Sequence, residues 1–188
     1  MGETVKGDYM SINQGPNNPT AASGAVWSSP TNIEGSSANA TYSVTFGADQ
    51  FTSELVGSGF GFSIPSGATI NGISFTLNRR VSSTVLFIGT TNTVKLRKAG
   101  VDVGSAKGPG SVWTTTGTDE TWGTSSDLWG TTWTPSDINN SDFGVGVVCE
   151  GDFSSGISGA RALEVQNYRL TVTYTTRSRA VCSQIIGI

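Results

Sequence analysis

Histidine is absent from all 188 residues. That single gap excludes histidine-based triads, histidine metal sites and histidine general bases. Charge is scarce as well: Asp, Glu, Lys and Arg make up 13% of the chain, about half the usual share of a globular domain. The net charge is −3 and the sequence pI is near 4.8. A polyphosphate partner wants a basic face, so no nucleic acid is expected. No apolar run approaches the ~18 residues that cross a bilayer, so no membrane partner is expected either. The opening MGETVKGDYM has neither a basic nor an apolar leader segment, and no secretory signal is expected. Cys149 and Cys182 are too few for a disulfide scaffold. They are expected as free thiols in a reducing compartment, with a link from tail to body as the alternative. No metal or cofactor is expected.

Gly, Ser, Thr and Asn together account for 86 of the 188 residues. All four are poor helix formers and good turn formers, which argues against a helical protein. Period-two alternation is strong from Thr41 onward. TYSVTF sets Tyr42, Val44 and Phe46 on one face, and ATINGISFTLNRR does so with Ile73, Phe75 and Leu77. TVKLRKAGVDVG offers Val94 and Leu96, then an Ala99-Gly100 turn into Val101 and Val103. FGVGVVCE aligns Phe143, Val145, Val147 and Cys149, and NYRLTVTYT aligns Tyr168, Leu170, Val172 and Tyr174. VLFIG reads as a short strand covered on both faces. One helical turn is expected at Thr134–Ile138, with Thr134 as cap, Pro135 at the first position and Asp137 closing a capping box. The expected fold is therefore all-β, a β-sandwich or jelly roll. It forms a single domain with a loop-like N-terminal arm (1–40), a body (41–176) and a C-terminal tail (177–188).

Four of the five tryptophans, Trp113, Trp122, Trp129 and Trp133, fall within Gly108–Trp133. Trp129 and Trp133 flank the capped turn and are expected to pin it. Trp113 and Trp122 lie among Thr and Gly, where a loop tip could present them as a glycan platform. The arm carries Tyr9, Met10, Val26 and Trp27, which suit docking on a partner; the alternative places Trp27 in the core of a domain that starts near residue 24. The basic pair Arg79-Arg80 could meet an acidic patch on a partner, or be ordinary paired surface, and Arg177 and Arg179 allow the same two readings. Ile185, Ile186 and Ile188 form an apolar end that either adds a strand to its own sheet or docks on a neighbour. Asp137, Asp142, Asn139 and Asn140 match no dedicated calcium loop, and capping and turn formation account for Asp137 and Asn140. Asp119 and Glu120 are the best candidates for a glycosidase pair, but a solvated loop explains them more simply.

The run GFGFSIPSGATINGISFTLNRRVSS, then TVKLRKAG, then SSDLWGTTWTPSDINNSDFGVGV and finally YRLTVTYT resembles small β-sandwich virion proteins of tailed bacteriophages. The pieces span about residues 58–175, in order. The resemblance implies a head-decoration, tail or fibre-associated domain, with Pro65, Gly67 and Gly72 serving turns and Trp129 and Trp133 serving packing. It implies no catalytic motif, and no enzyme is expected. The expected role is a capsid decoration (cement) protein, a homotrimer bound to the major capsid protein at the capsid surface of the virion after synthesis in the host cytoplasm. The alternative is a tail or fibre module that binds a host surface glycan through Trp113 and Trp122.

Overall fold

The alternating runs become strands wherever one face can be covered. The computed structural model describes residues 8–35, 37–46, 51–154 and 159–177. In chain order these form β1 (Tyr9–Asn17), β2 (Ala21–Ser23), a 3-10 turn (Pro30–Ile33), β3 (Ala40–Thr45), β4 (Leu55–Ser58) and β5 (Thr69–Val81). There follow β6 (Phe87–Lys98), β7 (Val101–Lys107), β8 (Thr118–Gly123), the short helix α1 (Pro135–Asn139), β9 (Gly144–Phe153) and β10 (Ala160–Arg177). All strand pairs are antiparallel. They build two five-stranded sheets, one ordered β1-β10-β5-β8 with β3 also on β10, the other β2-β4-β9-β6-β7. The molecule is a β-sandwich.

The core lies between the sheets. Ile73, Phe75 and Leu77 of β5 and Leu170 and Val172 of β10 face Val94 and Leu96 of β6 and Val145, Val147 and Cys149 of β9, all buried. Each such side chain contributes about 1.5–3 kcal/mol by leaving water. Phe75 meets the Tyr168 ring edge-on at 5.0 Å. The Tyr168 hydroxyl crosses between the sheets and donates to the Leu55 carbonyl at 3.0 Å. Cys149 is a free thiol, and burial pushes its pKa up, which leaves it inert toward thiol chemistry at neutral pH. Cys182 lies outside the described residues.

Three sequence expectations give way. Residues 9–17 are not a loop-like arm: β1 pairs along the end of β10 from Tyr9↔Arg177 to Asn17↔Leu170. Trp27, Ile33 and Ala40 are core residues, so the body begins at residue 9 rather than at 41. The strand carries no alternating apolar signal because β1 is an edge strand with both faces mostly exposed. Nothing forces its side chains to alternate, and its partner is at the far end of the chain. VLFIG is also not a covered strand. Val85, Leu86 and Ile88 are exposed, and Leu86 sits in the left-handed region at φ 53°, in the turn that leads into β6. Gly72 serves no turn. It lies inside β5, and a Cβ there would stand 2.3 Å from the Ser125 backbone carbon, so it makes room for the long loop that crosses the strand.

Candidate functional site

The long Gly108–Trp133 segment closes one side of the sandwich, and its tryptophans are the pins. Trp129 donates from Nε1 to the Ile73 carbonyl at 2.8 Å, and the Lys107 ammonium lies 4.8 Å over its ring. Trp133 donates to the Leu128 carbonyl at 3.0 Å and meets Phe143 edge-on at 5.4 Å. Trp113 is 1% exposed and Trp122 9%. Trp122 stacks on Phe75 at 6.0 Å. Sugar stacking needs a free ring face, and neither Trp113 nor Trp122 presents one. The loop-tip expectation for this pair is therefore corrected: both are packing residues.

Arg79 and Arg80 do not act as a basic pair. Successive strand residues point to opposite faces, and here one goes in and the other out. Arg79 is 5% exposed and grips Glu120 with two nitrogens, Nε at 3.2 Å and Nη2 at 3.1 Å. Glu120 in turn accepts from the Ser111 amide at 2.6 Å, which ties the start of the Trp segment to β5 and β8. Arg80 is on the outer face and pairs with Glu164. Asp119 pairs with Arg169 and accepts from Asn78 at 2.7 Å. Asp119 and Glu120 thus serve opposite faces of β8 and do not confront one bond. Asp137 completes the expected capping box with Thr134 and pairs with Lys98. Asn139 clamps the Ile64 backbone at 2.7 and 2.8 Å, and Asn140 accepts from the Asp142 amide at 2.8 Å. Among the described residues, no group of three His, Cys, Asp or Glu could hold a metal.

The docking candidates divide. Trp27 is buried and donates to the Ser53 carbonyl at 2.9 Å, so it is a core residue and unavailable to a partner. Its neighbour Val26 is exposed. Tyr9 and Met10 are 66% and 53% exposed at the start of β1. The Arg177 guanidinium stands 5.7 Å over the Tyr9 ring and donates to its hydroxyl at 3.2 Å. The first and last described strands therefore meet at one corner. Strand β1 carries no charged residue, and among the described residues no further strand covers its outer flank. Ile185, Ile186, Ile188 and Arg179 lie outside the described residues.

A second feature lies on the outer face of the other sheet. The segment before β4 runs beside β9, with Phe51 bridged to Glu150. It carries Phe51 and Glu54 outward over β9, while Lys95 of β6 and Asp102 of β7 rise opposite. Between them is a cleft of about 420 Å³, lined also by Asn92, Thr93 and Val148 and floored by Gly146. Gly146 leaves room there for the Glu54 carboxylate, whose Oε1 would lie 1.9 Å from a Cβ at this position. The charged wall is a lattice. Arg97 reaches Glu54 at 3.0 Å and Asp102 at 3.5 Å, Lys95 reaches Asp102 at 3.6 Å, and Arg97 also donates to the Gly100 carbonyl. Burial pushes the Glu54 carboxyl above its usual value; Asp102 adds to this, and Arg97 and Lys95 oppose it. Sequence reading singles out none of these residues as a site. The one available signal is Gly144 and Gly146 at the outward positions of FGVGV, since glycine inside a strand marks a close approach.

No family model matches the chain, and no curated protein does. Among solved structures, one described as "CBM4 structure and function" is 16% identical with a TM-score of 0.40, over 70% of this chain and 82% of that one.

Proposed function

We propose that the chain is a structural protein of a tailed-phage virion, a capsid decoration (cement) protein. It binds the assembled head at its surface and stabilises it non-covalently. The observation that carries the reading is the corner where Tyr9 pairs with Arg177. The first and last described strands meet there, beside the exposed apolar Tyr9 and Met10 and the uncharged edge of β1. The uncharged stretch Tyr9–Gln14, ahead of the register shift and Pro16 that close the rest of the edge, suits addition of a strand from a partner. The partner is the major capsid protein, and each copy bridges adjacent capsid subunits, adding buried area at seams that internal pressure opens. Copies associate as homotrimers around a symmetry axis. The order of the resemblance pieces along residues 58–175 supports the same reading, as does a body in which most of the described basic side chains pair with acids.

The test is copy number per particle, by quantitative mass spectrometry of purified virions against the major capsid protein. Copies in simple ratio to the capsid protein are expected. A handful per particle would instead indicate a tail or fibre component, and absence from the particle would overturn the virion reading altogether.

A further inference from the structure

We infer that the cleft between Phe51 and Lys95, on the outer face of β4, β9 and β6, binds a neutral oligosaccharide. The inference is independent of the corner at Tyr9 and Arg177 and goes beyond a decoration role.

The chemistry of the lining decides the ligand class. Phe51 is 48% exposed and shares the cleft with Val148, so one side offers a ring face and an aliphatic neighbour. The other side offers donors and acceptors together. The Lys95 ammonium has three donors and one long ion pair at 3.6 Å. The Asn92 amide spends one hydrogen on Glu150 at 3.2 Å and keeps the other. Glu54 Oε1 lies free of Arg97, which holds Oε2. An apolar ligand would strip water from these groups without replacing it, at a cost of about 1–3 kcal/mol for each polar group. Lys95 and Arg97 are answered by Glu54 and Asp102 and, behind Asn92, by Glu150, so an anion gains no net attraction. A sugar meets both demands: its C–H face covers Phe51 and Val148, and its hydroxyls both donate and accept.

The geometry also suits a chain of sugars rather than one. A second hollow of about 150 Å³, lined by Ser23, Val56, Ser58 and Asp142, lies on the far side of Arg97. Arg97 is the partition, fixed by Glu54, Asp102 and the Gly100 carbonyl. The polar wall is thus ordered before any ligand arrives, which lowers the ordering cost of binding.

The experiment is a glycan array with neutral and acidic saccharides, followed by calorimetry and amide chemical-shift mapping with the best neutral hit. Binding of a neutral glycan is expected, with shifts at Gly146 and Val148. Phe51→Ala is expected to weaken it about tenfold, and Lys95→Ala also weakens it, both with an unchanged melting temperature. Val112→Ala, at an exposed site elsewhere, leaves affinity intact. The inference is overturned if no neutral glycan binds, if acidic glycans are preferred, or if the shifts fall away from Gly146 and Val148. Neither a positive nor a negative result bears on virion copy number, so the two proposals fail separately.

Discussion

Arg79 shows how a single residue can be misjudged from its neighbours. The pair Arg79-Arg80 looks like surface charge, yet alternation along β5 sends Arg79 under the Trp segment to Glu120. Removing one partner of a buried ion pair leaves the other charge uncompensated. Arg79→Ala is expected to cost about 3 kcal/mol, read as a drop in the denaturant midpoint, whereas Arg80→Ala, on a partly exposed pair, costs under about 1 kcal/mol. Ala99 is the opposite case. It sits at φ 47° with Gly100 at φ 79°, in the two-residue turn between Lys98 and Val101. Turns of this hand favour Asn-Gly, and alanine is strained there. Ala99→Asn is expected to stabilise the protein by about 0.5–1 kcal/mol, measured by equilibrium unfolding.

At the scale of elements, β1 decides where the chain can be cut. Removing residues 1–7 leaves the β1–β10 register and the exposed Tyr9 and Met10 whole, so the melting temperature and docking through the β1 edge are both expected to stay the same. Removing residues 1–17 strips the edge of β10, exposes the flank of Leu170 and Val172, and is expected to lower the melting temperature by several degrees. Calorimetry on the two truncations checks both. Removing 1–30 would take Trp27 from the core as well, so that truncation cannot separate docking from folding. The contrast explains what is legible in sequence. Strands β5, β6, β9 and β10 each have a core face, and alternation such as Tyr168, Leu170, Val172 and Tyr174 announces it. The capping box at Thr134 and Asp137 is local and equally plain. Strand β1 is held by backbone hydrogen bonds to a distant partner, and backbone bonds leave no side-chain pattern. The cleft is hidden for a related reason. Phe51, the β6 pair Asn92 and Lys95, and Asp102 come from three segments, and only strand register brings them together. Trp113 and Trp122 mislead because a Thr/Gly-rich context marks a loop without saying which way its rings turn.

For the whole molecule, the acids set the response to pH. Burial pushes Asp119, Asp127 and Asp137 upward, but other contacts outweigh it: hydrogen bonds from Asn78 and Arg169 at Asp119, from Lys107 and Trp129 at Asp127, and from Thr134 and Lys98 at Asp137. All three are held below the usual carboxylate value. Such a group binds its proton less readily folded than unfolded. Its stabilisation is complete above the unfolded value of ~4 and disappears as pH falls through the lower folded values. Glu54 runs the other way, since its raised value means that ionisation weakens the fold as pH rises past the unfolded value. The melting temperature is expected to hold from neutral pH to about 5 and then fall below about 4. Asp127→Asn flattens that acid limb; a limb unchanged by Asp127→Asn, Asp119→Asn and Asp137→Asn together would refute the assignment.

The antiparallel register of β1 on β10 also has a mechanical meaning. Because Tyr9 lies opposite Arg177, a pull applied at these two residues acts across the strands rather than along them. The load falls on one hydrogen-bonded pair at a time, as in a zip, and β1 peels away at low force. A pull on one end against the opposite side of the sandwich would instead strain the sheet as a block. A protein tethered through Tyr9 and Arg177 would give way there first, shedding a single edge strand while the paired sheets behind it stay closed.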